Sequence, residues 1–467
     1  MSGETSRATP RTTSRLDAIY QKSLDCVHCG LCLSSCPTYL ATGKENASPR
    51  GRIYLMRGVV EGKIPLSGLA AEEAFRCVGC RACETACPSG VEYGAMLELL
   101  REEVDATGLR NGWARTIERF ALRQIVPQRW RLHALVGFLG FAQRLGLDRR
   151  VISILSSLSL LPDSVRDAHA YMPAIPSRHE RRPLPPFTGA VGERRGCVAF
   201  LSGCVMHEIF PDVNRATVRV LAENGYDVLV PRSQGCCGAL HAHSGDADTA
   251  HRLARHNAAV FSEHSIDALV VNSAGCGTAL REAEAWIGEE GRTLAAKVRD
   301  VAEFLDEVGL RIPEHLPASE TVRVCYDDPC HLIHTQGVAG APRRLLEALP
   351  GVELVAHANP DRCCGAAGIY NLTQRKLSRQ ILDEKMDSLA LASPELIATG
   401  NPGCMMQLAR GVDERGMKTR VLHPIELIDA LYQSNGARPK GAQPNGAQPN
   451  EARVERANVR LPAGGPR

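Results

Sequence analysis

The spacing of apolar residues along the chain changes near residue 196. Before it, apolar positions recur at helical intervals and strand-like runs are few, with predicted helices at 72–76, 95–106 and 115–125. After it, β-like runs at 198–201, 228–230 and 268–272 alternate with helical segments at 213–222, 246–261 and 278–288. A second copy follows, with β-like runs at 322–326, 353–356 and 396–399 and helices at 343–348 and 373–391. Such alternation predicts α/β units around parallel sheets.

Eighteen cysteines punctuate this pattern, and sixteen of them form two pairs of internal repeats. The first pair is Cys26-x-x-Cys29-x-x-Cys32-x-x-x-Cys36-Pro37 and Cys77-x-x-Cys80-x-x-Cys83-x-x-x-Cys87-Pro88. The second pair is Cys204, Cys236-Cys237-Gly238 and Cys276, followed by Cys330, Cys363-Cys364-Gly365 and Cys404. The two left over, Cys197 and Cys325, stand in apolar runs, and we expect them to pack in core strands rather than to bind metal.

The spacing of the first pair is that of two-cluster ferredoxins, in which the fourth cysteine of each run ligates the other cluster. Three thiolates spaced by two residues bind one face of a cubane, and a remote thiolate completes it. This rule predicts two [4Fe-4S] clusters, one held by Cys26, Cys29, Cys32 and Cys87, the other by Cys77, Cys80, Cys83 and Cys36. The alternative metal is zinc, whose four-thiolate sites favour two C-x-x-C pairs over four evenly spaced cysteines.

Adjacent cysteines form a disulfide with each other only under strain, so we interpret each Cys-Cys-Gly motif as neighbouring thiolates on one metal centre. Four cysteines per copy suffice for one further iron-sulfur cluster, and most of them follow predicted strands, where open α/β sheets bind ligands. The candidate ligands are Cys204, Cys236, Cys237 and Cys276 in the first copy, and Cys330, Cys363, Cys364 and Cys404 in the second. Buried cysteines without metal are the alternative. Histidines near these thiolates could ligate the metal, relay protons or simply pack, and we expect packing for each of His207, His241, His243, His331 and His334.

The predicted fold class is α+β multidomain, a helical two-cluster ferredoxin domain followed by two duplicated α/β Cys-Cys-Gly domains. A Pro- and Arg-rich stretch between residues 162 and 196 has the composition of a linker, and Gly-Ala-Gln-Pro-Asn repeats form a low-complexity end. The predicted segments are a disordered leader at 1–15, a two-[4Fe-4S] ferredoxin-type domain at 16–110, a helical arm and Pro/Arg-rich linker at 111–196, a first Cys-Cys-Gly α/β repeat at 197–315, a second at 316–433, and a disordered low-complexity tail at 434–467.

The charge and hydropathy of the sequence indicate the cellular compartment in which the protein is found. Residues 1–15 lack the apolar stretch of a secretory signal, and a transit peptide is the alternative to a disordered leader. No segment reaches the roughly 18 apolar residues of a transmembrane helix. Six arginines and one acid lie between residues 123 and 150 among Leu, Val, Phe and Trp, which fits an interfacial helix, a docking surface or an ordinary solvated helix. We expect a cytoplasmic protein with reduced cysteines.

The remaining composition narrows the function. A net charge of +3 and 4% aromatic residues argue against a nucleic-acid partner. The sequence contains no G-x-G-x-x-G after a strand, no Walker loop and no recognisable Ser-His-Asp or paired-carboxylate arrangement. Several one-electron centres without a hydride acceptor favour electron transfer over bond-making chemistry, so we predict no catalytic residue on this chain. The non-redox alternative is a zinc-stapled interaction protein.

Together with the segment Ser48-Pro-Arg-Gly-Arg-Ile-Tyr-Leu55, the cysteine motifs resemble the iron-sulfur subunit of bacterial glycolate oxidase (glycolate dehydrogenase), over residues 25–431. The resemblance implies a non-flavin subunit of an oxidoreductase complex that acts on CH–OH with a non-NAD acceptor. It implies partner FAD-binding subunits that oxidise glycolate to glyoxylate, electron transfer toward the quinone pool, and an isolated chain that is inactive and carries no flavin. It also implies a location on the cytoplasmic face of the inner membrane.

The Cys-Cys-Gly repeats are also similar to those of the heterodisulfide reductase catalytic subunit, where each repeat ends in C-x-x-C. Here Ser273 and Asn401 stand at the penultimate cysteine position, which argues against five-cysteine clusters and disulfide cleavage. The alternatives are a thiol-disulfide (heterodisulfide reductase-like) enzyme and the iron-sulfur subunit of another 2-hydroxy-acid or glycerol-3-phosphate dehydrogenase.

Overall fold

The computed structural model describes residues 14–157, 163–313 and 320–434. The predicted disordered leader and tail therefore lie outside the described residues, apart from residues 14, 15 and 434. The described residues divide into two compact units, one from residues 14–112 with 242–247 and the other from residues 113–241 with 248–434. None of the helices in the described ranges has the length and apolar character required to cross a membrane.

The first unit is helical, as the apolar spacing predicts, and its described residues contain no strand. Its α-helices are α1 (Arg15–Ser23), α2 (Pro37–Thr42), α3 (Pro49–Val60), α4 (Leu69–Arg76), α5 (Ala82–Thr85) and α6 (Tyr93–Ala106). The predicted helices at 72–76 and 95–106 are confirmed by α4 and α6. Ile19, Met56 and Met96 meet in one buried core, and Cys77 and Cys83 pack in the same core.

A helical arm opens the second unit. Its helix α7 (Trp113–Phe120) continues into a π-helical turn (Ala121–Ile125), which confirms the helix predicted at 115–125. Three further helices follow: α8 (Arg129–Arg144), α9 (Leu147–Ser157) and α10 (Asp163–Ala170).

The first Cys-Cys-Gly repeat contains a five-stranded sheet in the order β1-β3-β2-β4-β5. All pairings are parallel except that of β1 with β3. The strands are β1 (Phe187–Thr188), β2 (Gly196–Leu201), β3 (Tyr226–Leu229), β4 (Ala268–Val271) and β5 (Val298–Asp300). The helices are α11 (Val205–Ile209), α12 (Pro211–Glu223), α13 (Ala239–His243), α14 (Ala247–Ser262), α15 (Ala274–Arg281), α16 (Ala283–Ile287), α17 (Glu289–Lys297) and α18 (Val301–Val308).

The second repeat contains an all-parallel sheet in the order β7-β6-β8-β9. The strands are β6 (Val322–Tyr326), β7 (Val352–Leu354), β8 (Leu396–Ala398) and β9 (Arg420–Leu422). The helices are α19 (Ala341–Glu347), α20 (Tyr370–Thr373), α21 (Arg375–Ala392), α22 (Pro402–Glu414) and α23 (Pro424–Ser434), with a π-helical turn at His331–Thr335. The predicted parallel α/β units are confirmed in both repeats.

The two repeats share one hydrophobic core, in which Phe200 and Val270 of the first sheet pack with Val324 of the second. The prediction that Cys197 and Cys325 are strand residues is confirmed: they lie in β2 and β6. Cys325 is fully buried, whereas Cys197 is only partly buried. Both stand within strands, whereas the candidate ligands of the two repeats follow the carboxyl ends of strands.

Candidate metal centres

Both ferredoxin-type loops use left-handed backbone at equivalent positions between cysteines. His28 (φ 56°) and Gly79 (φ 73°) precede the second cysteine of each run, and Gly30 (φ 87°) and Arg81 (φ 61°) follow it. Each loop thus has one glycine and one larger residue in this conformation, in opposite order. A side chain in left-handed backbone costs about 1–2 kcal/mol. The loop geometry is therefore maintained at an energetic cost at His28 and Arg81.

One of the two predicted cubane ligand sets converges on a single cavity. Cys36, from the first run, lines it together with Cys77, Cys80 and Cys83 from the second, around an empty volume of about 280 Å³. All four cysteines are buried. Burial raises the pKa of the Cys83 thiol well above its usual value, and the charges of Cys80 and Cys77 raise it further. Buried thiolates that repel one another require a cationic centre, so this donor set fits an iron-sulfur cluster.

Arg52, in the segment between the two cysteine runs, lies beside the buried ligand set. Its guanidinium is buried and forms an ion pair with the buried Glu73, with 3.0 Å between Nη2 and Oε2. It also donates to Thr38 Oγ1 over 3.0 Å, and its charge interacts with Cys77 and Cys36. A fixed positive charge beside these thiols would stabilise the negative charge that a cluster gains on reduction.

A second buried arginine supports the same site. Arg101 donates from Nε to the carbonyl of Ala74 over 2.9 Å and from Nη2 to the carbonyl of Cys77 over 2.7 Å. These bonds fix the chain as it leaves α4 and enters the cysteine loop. Neither arginine was predicted as a site residue, since a single arginine within a helix carries no spacing signal.

The other predicted ligand set lies closer to solvent. Cys26, Cys32 and Cys87 are half-buried against the core of the first unit, whereas Cys29 is exposed. Burial raises the pKa of Cys32, and the charges of Cys26 and Cys36 raise it as well. Within residues 14–157, 163–313 and 320–434, no three His, Cys, Asp or Glu side chains surround a position for one metal ion. A cubane does not require this arrangement, because its four thiolates bind four different irons.

In the first Cys-Cys-Gly repeat, the four candidate cysteines meet at the carboxyl ends of the adjacent strands β3, β2 and β4. Cys204 Sγ lies 3.7 Å from Cys236 Sγ, and the Cys237 thiol interacts with both Cys236 and Cys276. Hydrogen bonds from Cys204 and Cys237 hold the pKa of Cys236 well below its usual value. Cys276 lies in the first turn of α15, where the positive end of the helix dipole favours a thiolate.

The second repeat reproduces this arrangement after β6, β7 and β8. Cys330 Sγ lies 3.9 Å from Cys363 Sγ, and hydrogen bonds from Cys363 and Cys404 hold the pKa of Cys364 well below its usual value. The Lys385 ammonium lowers the pKa of Cys364 further. The structure thus brings together the four predicted cysteines of each repeat, and each set fits a polynuclear iron-sulfur centre by its donor chemistry.

Lys385 was not found by sequence reasoning. It is buried, pairs with Asp327 over 2.7 Å, and donates to the carbonyls of Asn359 and Pro360 over 3.0 Å each. A buried lysine in a long amphipathic helix gives no motif that would distinguish it from a solvated one.

The glycine of each Cys-Cys-Gly motif is required by close packing. Gly238 (φ 92°) and Gly365 (φ 86°) both have positive φ. A Cβ at Gly365 would lie 2.7 Å from the Ser378 carbonyl oxygen, and one at Gly238 would lie 3.1 Å from that of Ala250. The Gly365 N–H donates to Cys363 Sγ over 3.3 Å. Each glycine therefore allows the backbone to lie close to a neighbouring helix. In the second repeat, the Gly365 amide also contacts the Cys363 sulfur.

The residues at the penultimate cysteine position, Ser273 and Asn401, occupy the N-caps of α15 and α22. Ser273 interacts with Cys276, and Asn401 donates from Nδ2 to Cys404 Sγ over 3.5 Å. Neither position supplies a fifth thiol. Each supplies a neutral hydrogen-bonding group beside the last cysteine of its repeat.

Two of the histidines near the motifs bond to backbone. The buried His241 donates from Nε2 to the Leu122 carbonyl over 2.6 Å, and His334 donates from Nε2 to the Asp361 carbonyl over 3.0 Å. His241 also hydrogen-bonds to Cys236 and contributes to lowering its pKa. The backbone contacts of both histidines agree with the expected packing role, and His241 in addition contacts the candidate ligand Cys236.

Comparison with known proteins agrees with this organisation. The 4Fe-4S dicluster domain family matches residues 22–91, and the cysteine-rich domain family matches residues 198–281 and 324–409. The probable glycolate oxidase iron-sulfur subunit of Bacillus subtilis (strain 168) is 36% identical over 421 residues, 88% of this chain and 94% of the relative. The glycolate oxidase iron-sulfur subunit of Escherichia coli (strain K12) is 34% identical over 418 residues, 86% and 93% of the two chains.

A more distant relative is a subunit of the fumarate reductase (CoM/CoB) of Methanothermobacter marburgensis, 25% identical over 421 residues, which are 89% of this chain and 73% of the relative. The two nearer relatives are matched over nearly their whole length, and the dicluster and cysteine-rich families account for the two kinds of cysteine repeat. The chain therefore belongs to the family of glycolate oxidase iron-sulfur subunits.

Proposed function

We propose that this chain is the electron-transfer subunit of a glycolate-oxidising complex. Oxidation of glycolate to glyoxylate releases two electrons and two protons to the flavin of an FAD-binding partner subunit. The clusters carry the electrons one at a time, and a membrane quinone accepts them. The observation that carries the proposal is the convergence of Cys36 with Cys77, Cys80 and Cys83, in a chain whose relatives are named as iron-sulfur subunits.

The ligand assignment is part of the proposal. Cys26, Cys29, Cys32 and Cys87 hold one [4Fe-4S] cluster, and Cys77, Cys80, Cys83 and Cys36 hold the other. The exchange of the fourth ligand ties the two cysteine runs together, so neither cluster forms without both runs. The proposed domain limits follow from the same motifs: 16–110 for the cluster domain, 197–315 and 316–433 for the repeats.

The two Cys-Cys-Gly repeats add one iron-sulfur centre each in this proposal. Four thiols per repeat, grouped by contacts such as Cys204 with Cys236, support it. Ser273 and Asn401 remove the fifth thiol of each repeat, which favours electron transfer over bond-breaking at these centres. The complex would work at the cytoplasmic face of the inner membrane, where quinone is available.

Metal analysis of the anaerobically purified chain tests the proposal. The two cubanes account for eight irons, and loaded Cys-Cys-Gly repeats would raise the count further. Cys83→Ser should remove one cubane signal in low-temperature electron paramagnetic resonance, and Cys197→Ser is the matched control because Cys197 lies in β2 away from the motifs. Zinc in place of iron contradicts the proposal.

Activity measurements test the partner. The isolated chain should not oxidise glycolate, and adding the FAD-binding subunits should give glycolate-dependent reduction of a quinone analogue. Turnover by the isolated chain, or a strong preference of the assembled complex for another 2-hydroxy acid, contradicts the assignment.

The second candidate, a heterodisulfide reductase-like function, is favoured by a thiol of strongly lowered pKa in each repeat, Cys236 in the first and Cys364 in the second. Cys236→Ser with Cys364→Ser separates the two functions. Loss of disulfide turnover with electron flow from the flavin subunit intact supports the second candidate, and absence of any disulfide turnover in the unaltered complex excludes it.

A further inference from the structure

Three consecutive helices of the arm each expose an apolar stripe. In α7 the stripe consists of Trp113, Ile117 and Phe120, at positions i, i+4 and i+7, and Trp113 is 75% exposed. In α9 the same spacing joins Leu147, Val151 and Ile154. A water-soluble helix normally turns such a stripe toward the core.

The longest of the three, α8, has the longest stripe. Its exposed face carries Trp130, Phe138, Phe141 and Leu145, of which Trp130 is 69% and Phe138 68% exposed. The opposite face is the one that packs, with Val136 and Gly140 buried. The exposed face of α8 thus carries large apolar side chains, whereas an ordinary surface helix exposes polar ones there.

Polar contacts fix α8 in this orientation. At its first turn, Arg129 donates from Nη2 to Ser202 Oγ over 2.7 Å. One turn further along, His133 Nδ1 lies 3.1 Å from Glu208 Oε1, and Arg181 reaches the same carboxylate over 2.6 Å. The aromatic stripe is consequently held away from the body of the second unit by specific bonds on the other face.

The charges around the stripes are almost all positive. Arg144, Arg149 and Arg150 are exposed between the stripes of α8 and α9. Asp148 is the one acid within α8 and α9, and its Oδ2 lies 2.9 Å from His169 Nε2. Arg131 lies over the Trp130 ring, with its Cζ 5.2 Å from the centroid. Apolar side chains flanked by arginines are complementary to the acyl boundary and the anionic headgroups of a bilayer.

We propose that α7, α8 and α9 form a membrane-docking surface that lies in the headgroup region of an anionic bilayer. The apolar stripes enter the acyl boundary, and the positive charges of Arg144, Arg149 and Arg150 attract the lipid phosphates. This inference rests on the proposed delivery of electrons to a membrane quinone and names the surface that brings the chain to it. A lipid surface matches both features, since a protein partner of the apolar stripe alone would not require the surrounding positive charge.

Co-sedimentation with lipid vesicles tests the proposal. The purified holo-chain should bind vesicles of mixed phosphatidylglycerol and phosphatidylcholine and release them at high salt, and it should bind pure phosphatidylcholine much more weakly. Replacing Arg144, Arg149 and Arg150 with Gln should lower the partition coefficient on the order of a hundredfold. Phe138→Ser with Phe141→Ser should lower it by a similar factor.

Matched controls are available outside the arm. Leu391→Ser removes a leucine that is 88% exposed in α21, and Arg292→Gln removes an exposed arginine of α17, and both should leave vesicle binding unchanged. Iron content and dye reduction by the assembled complex should be normal in the arm variants. If the unaltered chain binds anionic vesicles but contains no iron, or its assembled complex reduces no dye, the proposed function fails while the docking surface stands.

Two outcomes overturn the docking surface. In the first, the unaltered chain does not bind anionic vesicles, or the arm variants bind them as strongly as the unaltered chain does. The other is unaltered vesicle binding together with loss of co-purification of the FAD-binding subunits in Phe138→Ser, Phe141→Ser, which would assign the stripe to a protein partner.

Discussion

Ser273 and Asn401 meet across the two repeats: Ser273 Oγ donates to Asn401 Oδ1 over 3.5 Å, and the Gly275 N–H donates to the same oxygen over 3.2 Å. A backbone bond from Ala274 N–H to the Gly400 carbonyl, 3.1 Å long, lies beside this contact. The two positions that lack a cysteine thus form one hydrogen-bonded joint between the two groups of four thiols.

Removing the Asn401 amide should lower the reduction potential of a cluster in the second repeat. Asn401→Ala deletes the Nδ2 donor to Cys404 Sγ, and a hydrogen bond of about 0.5–1.5 kcal/mol corresponds to about 20–60 mV for one electron. Redox titration followed by electron paramagnetic resonance measures the shift. Ser273→Ala is the matched variant and should move the first repeat's centre, since Ser273 interacts with Cys276. Equal shifts at both centres in both variants would contradict this assignment.

Arg52→Met should destabilise the first unit strongly. It leaves the buried Glu73 carboxylate without its partner, and breaking a buried ion pair costs about 3–5 kcal/mol. Anaerobic urea unfolding of the holo-protein, followed by cluster absorbance, measures the loss. Arg50→Met, two residues away in α3, breaks the exposed pair with Glu45 and should shift the midpoint far less. Similar midpoints for the two variants would show that Arg52 is not needed for stability.

Gly365→Ala should disrupt the second Cys-Cys-Gly site. The new Cβ would lie 2.7 Å from the Ser378 carbonyl oxygen, and the positive φ adds about 1–2 kcal/mol of backbone strain. Gly416→Ala is the control in the same repeat, because Gly416 also has positive φ (58°) but a Cβ there would meet no atom within 4 Å. Iron content and thermal unfolding should change much more for Gly365→Ala. Equal effects would assign the whole change to backbone strain.

Glu426→Gln should stabilise the protein at pH 8 more than at pH 5. Burial raises the pKa of Glu426 to about 7, while the unfolded carboxyl keeps a pKa near 4.5. Between these values the folded state binds the proton more strongly, so the wild-type free energy of unfolding falls as pH rises from 4.5 to 7. Glutamine does not ionise, so the variant should avoid up to about 3 kcal/mol of this loss. It also keeps a side-chain oxygen that can accept from the backbone N–H of His423.

The neighbouring His423 changes the free energy of unfolding with pH in the opposite direction. Its pKa is lowered by burial to about 4, so its contribution to stability is lost as pH falls from 6.5 toward 4. Urea unfolding of wild type and Glu426→Gln at pH 5, 6.5 and 8 separates the two groups. A difference between the two proteins that does not change with pH would contradict the raised pKa of Glu426.

Spacing in the sequence predicted those parts of the structure that depend on near neighbours in the chain. The C-x-x-C runs and the apolar β-like runs are local signals, and so the strands and the position of the thiols after them were predictable. The joint between Ser273 and Asn401 spans 128 residues, and the buried Arg52–Glu73 pair spans 21. Such pairings depend on how the elements pack, which a single sequence does not encode in its spacing.

The different burial of the two predicted cubane sites has a practical consequence for handling the protein in air. Oxidants attack accessible thiolates first, and Cys29 is exposed whereas Cys36, Cys77, Cys80 and Cys83 are buried. Under the proposed assignment, oxygen would degrade the cluster held by Cys29 before the buried one. A partly oxidised sample would then consist mainly of molecules with one surviving cluster, so that iron counts fall in steps rather than in proportion to exposure time.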